Sequence, residues 1–301
     1  MARPAELGGI LAAIPTPFDA NEDLALDALR SNLERWNKSR LQGYTVLGTT
    51  GELVSLATEE KKRVLAAARE AIPANRTFVA GTGAESTRET VTNTRDAAEA
   101  GADYAIVVTP HYNRFGFSDG ALDAHYRRVA DESPIPVLLY HIPACTGLAL
   151  PPETVARIAE HPNVAGIKDS SGDVLALQET RRLAPRGFRV LTGSASGLLA
   201  AVTVGADGAI LADACVAPDL CIDVFEAARA GDLDRARLLQ DRLAALSAIL
   251  IGVYGVSGVK ALLDRIGFYG GPSRSPLSTP TEAAKALVAA LRASRQETLS
   301  P

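Results

Sequence analysis

The feature that most constrains this chain is the regular alternation of short apolar runs with longer amphipathic segments. Most of the short runs are nearly continuous in apolar or small residues, as is typical of parallel strands covered on both faces. The segments between them have helical periodicity. Eight strands that alternate with helices predict an α/β protein, specifically a (β/α)8 TIM barrel. The eight strand-like runs are "GGILAAIPTP", "GYTVLG", "RTFVAGTG", "ADYAIVVTP", "IPVLLYHIP", "VAGIKDS", "FRVLTGSA" and "GAILADA".

A doubly wound parallel sheet is the competing architecture. Its nucleotide-binding signature would need a third glycine in register after the "GTG" at 81–83, and the sequence has none there. About a quarter of the chain follows the eighth unit, and it contains three helical patterns. We therefore predict a barrel over residues 1–225 and a C-terminal helical extension packed on it over residues 226–301.

Composition limits the classes of partner. The chain of 301 residues is 47% hydrophobic and 22% charged, with a formal net charge of −4, which is typical of a globular protein. No apolar run reaches the ~18 residues of a membrane span. Mild acidity without a basic run argues against nucleic acid as a partner. The opening residues lack a signal-like apolar core and the cysteines lack CxxC spacing, so we expect a cytoplasmic protein with reduced thiols.

A lysine closes the sixth strand-like run. In "VAGIKDSSGD", Lys168 follows apolar residues, and burying an unpaired ammonium group costs several kcal/mol. Period-two alternation would put Val164, Gly166 and Lys168 on one face, where the small Gly166 would leave room beside the amine. Barrel active sites lie at the carboxyl ends of the strands. Desolvation there favours the neutral amine, a nucleophile that forms a Schiff base with a carbonyl group.

Two other strand ends carry hydroxyl groups that suit the same chemistry. In "LYHIP", alternation places Leu138, Tyr140 and Ile142 on one face, so the phenol of Tyr140 would point into the barrel and could shuttle protons. In "GTTGE", the hydroxyls of Thr49 and Thr50, together with backbone N–H groups, could hold a carboxylate. Together these groups suit a 2-oxo acid aldolase.

Each of these features has a plainer interpretation when taken alone. A strand-end lysine is more often salt-bridged or exposed, Tyr140 fits a core residue with a satisfied hydroxyl, and "GTTGE" fits an ordinary turn before a helix. Several such features at one end of a barrel favour a catalytic site. The four histidines show neither HxxxH nor HxH spacing, so we expect no metal.

Four motifs, "GTTGE", "TPHYN", "LYHIPACTG" and "GIKDSSGD", resemble the dihydrodipicolinate synthase / N-acetylneuraminate lyase family in their order and separation. The resemblance runs from "AAIPTPF" to "GGPSRSPL", nearly the whole chain. It implies a class I aldolase with a (β/α)8 barrel, usually a homotetramer built as a dimer of dimers. Members bind pyruvate or another 2-oxo acid as a Schiff base on lysine and use neither a metal nor another cofactor.

Position by position, the resemblance implies a role for each matching residue. Lys168 would form the Schiff base and Tyr140 would be the main proton shuttle. Thr49 would connect Tyr140 to Tyr112 in a hydroxyl relay, with Tyr112 contributed across a subunit interface. Substrate contacts would come from Thr50, which binds the carboxylate of the 2-oxo acid, and from the pocket residues Gly193, Ile210, Cys145 and Ser170.

The motifs also depart from the synthase pattern. Cys145 replaces an arginine that binds the carboxylate of the aldehyde or supports the relay, and a thiol can do neither. His111 precedes Tyr112 where a second tyrosine is usual. Asp169 and Ser170 differ from the pair that follows the lysine in sialic acid lyases. The segments "PACTGLALP", "GIKDSSGD", "LTGSASGLL" and "GFYGGPSRSPL" look closest to the 4-hydroxy-2-oxoglutarate aldolase branch, whereas "GTTGE" is more synthase-like.

Several functions therefore stay open at this point. The leading hypothesis is a lyase that cleaves 4-hydroxy-2-oxoglutarate or a related 4-hydroxy-2-oxo acid. The alternative is 4-hydroxy-tetrahydrodipicolinate synthase, which condenses pyruvate with aspartate semialdehyde. A dehydratase or hydratase-aldolase acting on a sugar acid or an aromatic substrate is a third reading. The rival from a different class is a barrel that binds a 2-oxo acid without turnover.

Overall fold

Eight parallel strands form a closed barrel. The computed structural model describes residues 7–278 and 283–295. Each strand pairs with the next along the chain, and the eighth pairs with the first. The predicted (β/α)8 barrel is confirmed. The strands are β1 (Gly9–Ala13), β2 (Gly43–Val46), β3 (Thr77–Gly81), β4 (Tyr104–Val108), β5 (Val137–His141), β6 (Val164–Asp169), β7 (Arg189–Thr192) and β8 (Gly208–Leu211).

Helices surround the barrel and extend beyond it. The boundary predicted after residue 225 lies inside the helix that follows β8, and the three helical patterns of the extension form the last three helices. The helices are α1 (Leu26–Trp36), α2 (Thr58–Ala71), α3 (Thr87–Glu99), α4 (Asp119–Glu132), α5 (Pro143–Thr146), α6 (Pro152–Ala159), α7 (Val174–Leu183), α8 (Leu198–Thr203), α9 (Pro218–Arg229), α10 (Leu233–Leu250), α11 (Gly255–Arg265) and α12 (Ala283–Arg295).

Side chains of the strands pack in two layers. Leu138 and Tyr140 belong to an apolar cluster in the barrel interior, and Ile142 packs against it. Leu139, between them, packs with helix residues in the layer outside the strands. This alternation is the period of two expected of a strand. The prediction that Leu138, Tyr140 and Ile142 share an inward face is confirmed.

A register shift between β5 and β6 changes the direction in which the first side chains of β6 point. Val137 pairs with Val164, but Leu138 pairs with Gly166, so the register shifts by one residue. Val164 therefore packs in the outer layer, and Ala165 packs against the interior cluster. The predicted common face of Val164 and Lys168 is wrong, because a bulge resets the alternation.

Gly166 has a different role from the one predicted. A Cβ atom at Gly166 would lie 2.3 Å from the backbone oxygen of Arg189 on β7. The glycine therefore permits close approach of two strands. This close approach accounts for Gly166 without the predicted need for room beside the amine of Lys168.

The C-terminal extension is anchored to the loop that follows β2. Lys260 on α11 is fully buried, and its Nζ donates to Glu52 Oε1 at 2.5 Å and to the Pro272 carbonyl at 2.8 Å. The backbone N–H of Arg274 donates to Glu52 Oε2 at 2.9 Å. Burial lowers the pKa of Lys260, and the neighbouring Glu52 carboxylate opposes that effect. The buried pair thus holds the "GTTGE" loop in place from outside the barrel.

Across residues 7–278 and 283–295, no single helix has the length and apolar character of a membrane span. Helices α10 and α11 pass that test only as a pair, and they are bent by 109° at the break between them.

Candidate active site

The amine of Lys168 lies against the ring of Tyr140 inside the barrel. The two residues are direct partners on β6 and β5. The Lys168 side chain is buried, with Nζ 4.3 Å from the centre of the Tyr140 ring. An amine in this position over a phenol ring makes an electrostatically favourable contact. The two side chains therefore meet inside the barrel.

The hydroxyl of Tyr140 contacts the loop that follows β2. Its oxygen lies 3.2 Å from Thr49 Oγ1, within hydrogen-bond distance. Leu47 and Glu52, which bracket the loop, have left-handed φ angles of 58° and 55°. Such angles are unfavourable for residues with a Cβ and often occur at functional sites. Thr16 Oγ1 stabilises the turn by donating to the Gly51 carbonyl at 2.7 Å.

Three predicted pocket residues lie beside the lysine or in the same interior. A Cβ atom at Gly193 would lie 2.9 Å from Lys168 Cε and 1.9 Å from Ser170 Oγ. A glycine is therefore required for the lysine chain and the serine hydroxyl to occupy their places. Ile210 on β8 is fully buried in the interior cluster. Thr50 is buried in the same loop as Thr49.

Cys145 and Arg114 lie in the segments that follow β5 and β4, at the carboxyl end of the barrel. Cys145 is an exposed free thiol on α5. Partial burial raises the pKa of its thiol, and the charge of Lys168 opposes that rise, so the two groups are within electrostatic reach. Two residues later Gly147 has φ 64°, and a Cβ there would lie 2.5 Å from Arg114 Nη1. The Arg114 guanidinium thus reaches the turn that carries Cys145.

Tyr112 is not brought to the other predicted relay residues within one chain. It is 83% exposed, and its backbone N–H donates to Glu85 Oε2 at 2.8 Å. Across the described ranges 7–278 and 283–295, its hydroxyl makes no hydrogen bond, and the relay from Tyr140 ends at Thr49. The neighbouring Phe115 is 93% exposed.

A buried hydrogen-bonded pair behind the site was not predicted from the sequence. His141 Nδ1 lies 2.7 Å from Asp169 Oδ2, and both residues are buried. Each follows a proposed catalytic residue directly, so alternation along β5 and β6 alone places both on the outer face. This alternation is the signal in the sequence that indicates the pair, whereas the spacing of the histidines along the chain does not.

In the described part of the chain, no group of three or more His, Cys, Asp or Glu side chains is placed to hold a metal ion.

Comparisons with known proteins agree with this arrangement. The sequence model of the Dihydrodipicolinate synthetase family matches residues 6–294. The 4-hydroxy-tetrahydrodipicolinate synthase of Exiguobacterium sp. is 37% identical over 278 residues, which cover 92% of this chain and 94% of that protein. An uncharacterized DapA-like lyase of Halobacterium salinarum is 39% identical over 274 residues, covering 91% and 89%. The chloride-inhibited dihydrodipicolinate synthase from Acinetobacter baumannii, solved in complex with pyruvate, has a TM-score of 0.91 at 31% identity, covering 96% of this chain and 99% of that one.

The family resemblance inferred from the motifs is confirmed by these matches. They do not single out the 4-hydroxy-2-oxoglutarate aldolase branch. They extend over nearly the whole chain, barrel and helical extension together. The chain therefore belongs to the Dihydrodipicolinate synthetase family, whose members are lyases of the class I aldolase type.

Proposed function

We propose that this protein binds pyruvate as a Schiff base on Lys168 and joins it to, or releases it from, an aldehyde. The observation that carries the proposal is a buried lysine in contact with Tyr140, whose hydroxyl is in turn hydrogen-bonded to Thr49. A nucleophile with an adjacent proton carrier that is itself oriented by a third group is the arrangement expected for covalent catalysis. Relatives that are dihydrodipicolinate synthases support pyruvate as the donor.

The proposed chemistry uses these groups in sequence. The neutral amine of Lys168 attacks the C2 carbonyl carbon, a C–N bond forms, and the carbonyl electron pair moves to oxygen. Tyr140 donates a proton to that oxygen, which leaves as water after a second proton transfer, and the protonated Schiff base forms. Tyr140 takes a proton from C3 to give the enamine, whose C3 attacks the aldehyde carbon while the aldehyde oxygen takes up that proton. Water then hydrolyses the Schiff base, which releases the product and restores the free amine of Lys168. Cleavage follows the same steps in reverse.

The substrate carboxylate would be bound at the "GTTGE" loop. Thr50 and the backbone N–H groups of this turn supply donors, and buried donors of this kind hold an anion better than exposed ones. The glycine at 193 and the side chain of Ile210 would shape the space beside the lysine. Ser170 would add a hydroxyl at the same wall of the pocket.

For the aldehyde partner, the names of the relatives favour condensation with aspartate semialdehyde over cleavage of 4-hydroxy-2-oxoglutarate. We therefore place 4-hydroxy-tetrahydrodipicolinate synthase first. The second candidate, the 4-hydroxy-2-oxo acid lyase, is favoured by Cys145, a neutral thiol that cannot pair with an acceptor carboxylate. Arg114 would offset that loss, because its guanidinium reaches the Cys145 turn, lies over the Phe115 ring and forms no ion pair among the described residues.

Borohydride reduction in the presence of pyruvate tests the proposed function. The unmodified protein is expected to gain one reduced pyruvate adduct per chain, read by intact mass and mapped to Lys168 by peptide analysis. Treatment with EDTA beforehand is expected to leave the adduct yield unchanged. A protein that binds pyruvate without forming any adduct would support the non-catalytic alternative.

Arg114→Ala is expected to raise KM for aspartate semialdehyde by about 10- to 100-fold, because a charge-assisted hydrogen bond contributes about 1.5–3 kcal/mol. Trapping of pyruvate on Lys168 is expected to be unchanged. Arg128→Ala is the matched control, since that exposed arginine pairs with Glu132 on the surface of α4. Steady-state kinetics with both aldol reactions check this, and a higher kcat/KM for 4-hydroxy-2-oxoglutarate cleavage would select the second candidate.

Tyr112 is proposed to complete the relay from a second copy of the chain, because its side chain is exposed and its hydroxyl makes no hydrogen bond within the described residues of its own chain. Co-expressed Tyr112→Phe and Lys168→Ala chains are then expected to regain activity in hybrid oligomers, since one chain supplies the lysine and the other the tyrosine. Tyr140→Phe with Lys168→Ala is the control, because these two residues must come from one chain. Equal activity in the two mixtures would contradict the cross-subunit role.

A further inference from the structure

We propose that His141 and Asp169 are positioning residues that hold Tyr140 and Lys168 at their working separation. The inference rests on the proposed function, since it assigns the pair a part in that reaction. Neither residue contacts the substrate pocket, because each lies on the outer face of its strand. Their effect on the reaction would therefore pass through the two side chains that precede them.

His141 and Asp169 lie on the two strands that carry Tyr140 and Lys168. On β5 and β6, Tyr140 is paired with Lys168, and the next residues, His141 and Asp169, are paired with each other. The first pair points into the barrel and the second points out of it. The 2.7 Å contact between His141 Nδ1 and Asp169 Oδ2 therefore ties the two strands together one residue beyond the lysine.

The same residues connect a third strand through the main chain. The backbone N–H of Gly193 donates to the Asp169 carbonyl at 2.6 Å, and the N–H of Ser170 donates to the His141 carbonyl at 2.8 Å. These bonds join the ends of β5, β6 and β7. Asp169, the residue that bonds to His141, therefore also holds the backbone of Gly193, the glycine that leaves space for the Lys168 side chain.

The Asp169 carboxylate accepts three hydrogen bonds. Its Oδ1 accepts from the backbone N–H of Ser171 at 2.8 Å and from Ser171 Oγ at 2.5 Å, while Oδ2 faces the imidazole. Burial alone would raise the pKa of Asp169, but the hydrogen bonds from His141 and Ser171 outweigh it and lower the pKa. A buried carboxylate with every partner in place is rigid, and loss of one partner leaves an uncompensated charge in the wall of the site.

The test compares two replacements of the histidine. His141→Leu removes the donor to Asp169, whereas His141→Asn keeps an N–H at nearly the same distance along the side chain. We expect His141→Leu to lower kcat by about 10- to 100-fold with KM for pyruvate nearly unchanged, since small displacements of catalytic groups have effects of this size. His141→Asn is expected to retain most of kcat. Ser171→Ala, a milder loss of one donor to Asp169, is expected to lower kcat in the same direction and serves if His141→Leu does not fold.

Two comparisons separate positioning from a merely structural role. His125→Leu removes another buried histidine hydrogen bond, to Thr87 Oγ1 at 2.9 Å, away from β5 and β6, and it is expected to lower thermal stability without lowering kcat. In a Tyr140→Phe background, the further effect of His141→Leu on kcat is expected to be smaller than in the unmodified protein, because the hydroxyl that the pair positions is gone while Lys168 remains.

Three results would overturn the inference. They are equal kcat for the Leu and Asn replacements, a loss of kcat in His125→Leu that matches its loss of stability, and full additivity with Tyr140→Phe. The proposed function is tested separately by pyruvate trapping in the unmodified protein. An adduct on Lys168 together with any of these three results would reject the positioning role and leave the Schiff-base chemistry standing.

Discussion

Lys168→Ala is expected to abolish the borohydride-trapped pyruvate adduct and to lower turnover by about 10⁴-fold or more, because removal of a covalent nucleophile eliminates the intermediate itself. The other buried lysine, Lys260, cannot substitute for it. Its amine is held by Glu52 and by a backbone carbonyl, away from the barrel interior. Intact mass after reduction and a coupled aldol assay measure the two effects.

The matched variants for this prediction are Lys168→Arg and Lys38→Ala. Arginine keeps a positive charge and a long side chain but has no neutral amine for attack on a carbonyl, so it is expected to be as inactive as alanine. Lys38 is exposed after α1, and its loss is expected to change neither the adduct nor turnover. An adduct of unchanged mass and yield in Lys168→Ala would reject the assignment of the nucleophile.

The barrel could be predicted from the sequence because its signal is local and repeated. Each apolar run is followed by a helical pattern, and eight repeats leave few alternatives. Alternation along one strand likewise sufficed to place Tyr140 inside the barrel. The bulge in β6 could not be predicted. Its extra residue depends on the register between β5 and β6 and not on the sequence of either strand alone.

Long-range contacts explain the rest of what was missed. The buried pair of Lys260 and Glu52 joins residues 208 positions apart, and nothing in the local sequence of either one indicates the other. Topology therefore suffices to place side chains at the strand ends, whereas the positions of the groups that are proposed to support the site depend on contacts between distant parts of the chain.

Tyr140→Phe is expected to lower kcat by about 10²-fold or more, the usual scale for loss of a general acid–base group. The change removes only the hydroxyl oxygen that lies 3.2 Å from Thr49 Oγ1, and the ring that packs against the lysine remains. Binding of pyruvate is expected to weaken much less, because its carboxylate is proposed to be held by the "GTTGE" loop. Stopped-flow formation of the Schiff base and steady-state turnover separate these effects.

Tyr126→Phe is the control, since it removes the hydroxyl of a second buried tyrosine, which donates to the Val107 carbonyl at 3.3 Å in the outer layer. Both variants lose one hydrogen bond from a buried phenol, so a cost to stability alone would affect them alike. A large loss of kcat confined to Tyr140→Phe would assign proton transfer to that hydroxyl. Near-normal turnover in Tyr140→Phe would instead make Tyr140 a packing residue, and the proton that converts the carbonyl oxygen to water would have to come from another group in the pocket, with the hydroxyl of Ser170 the first to test.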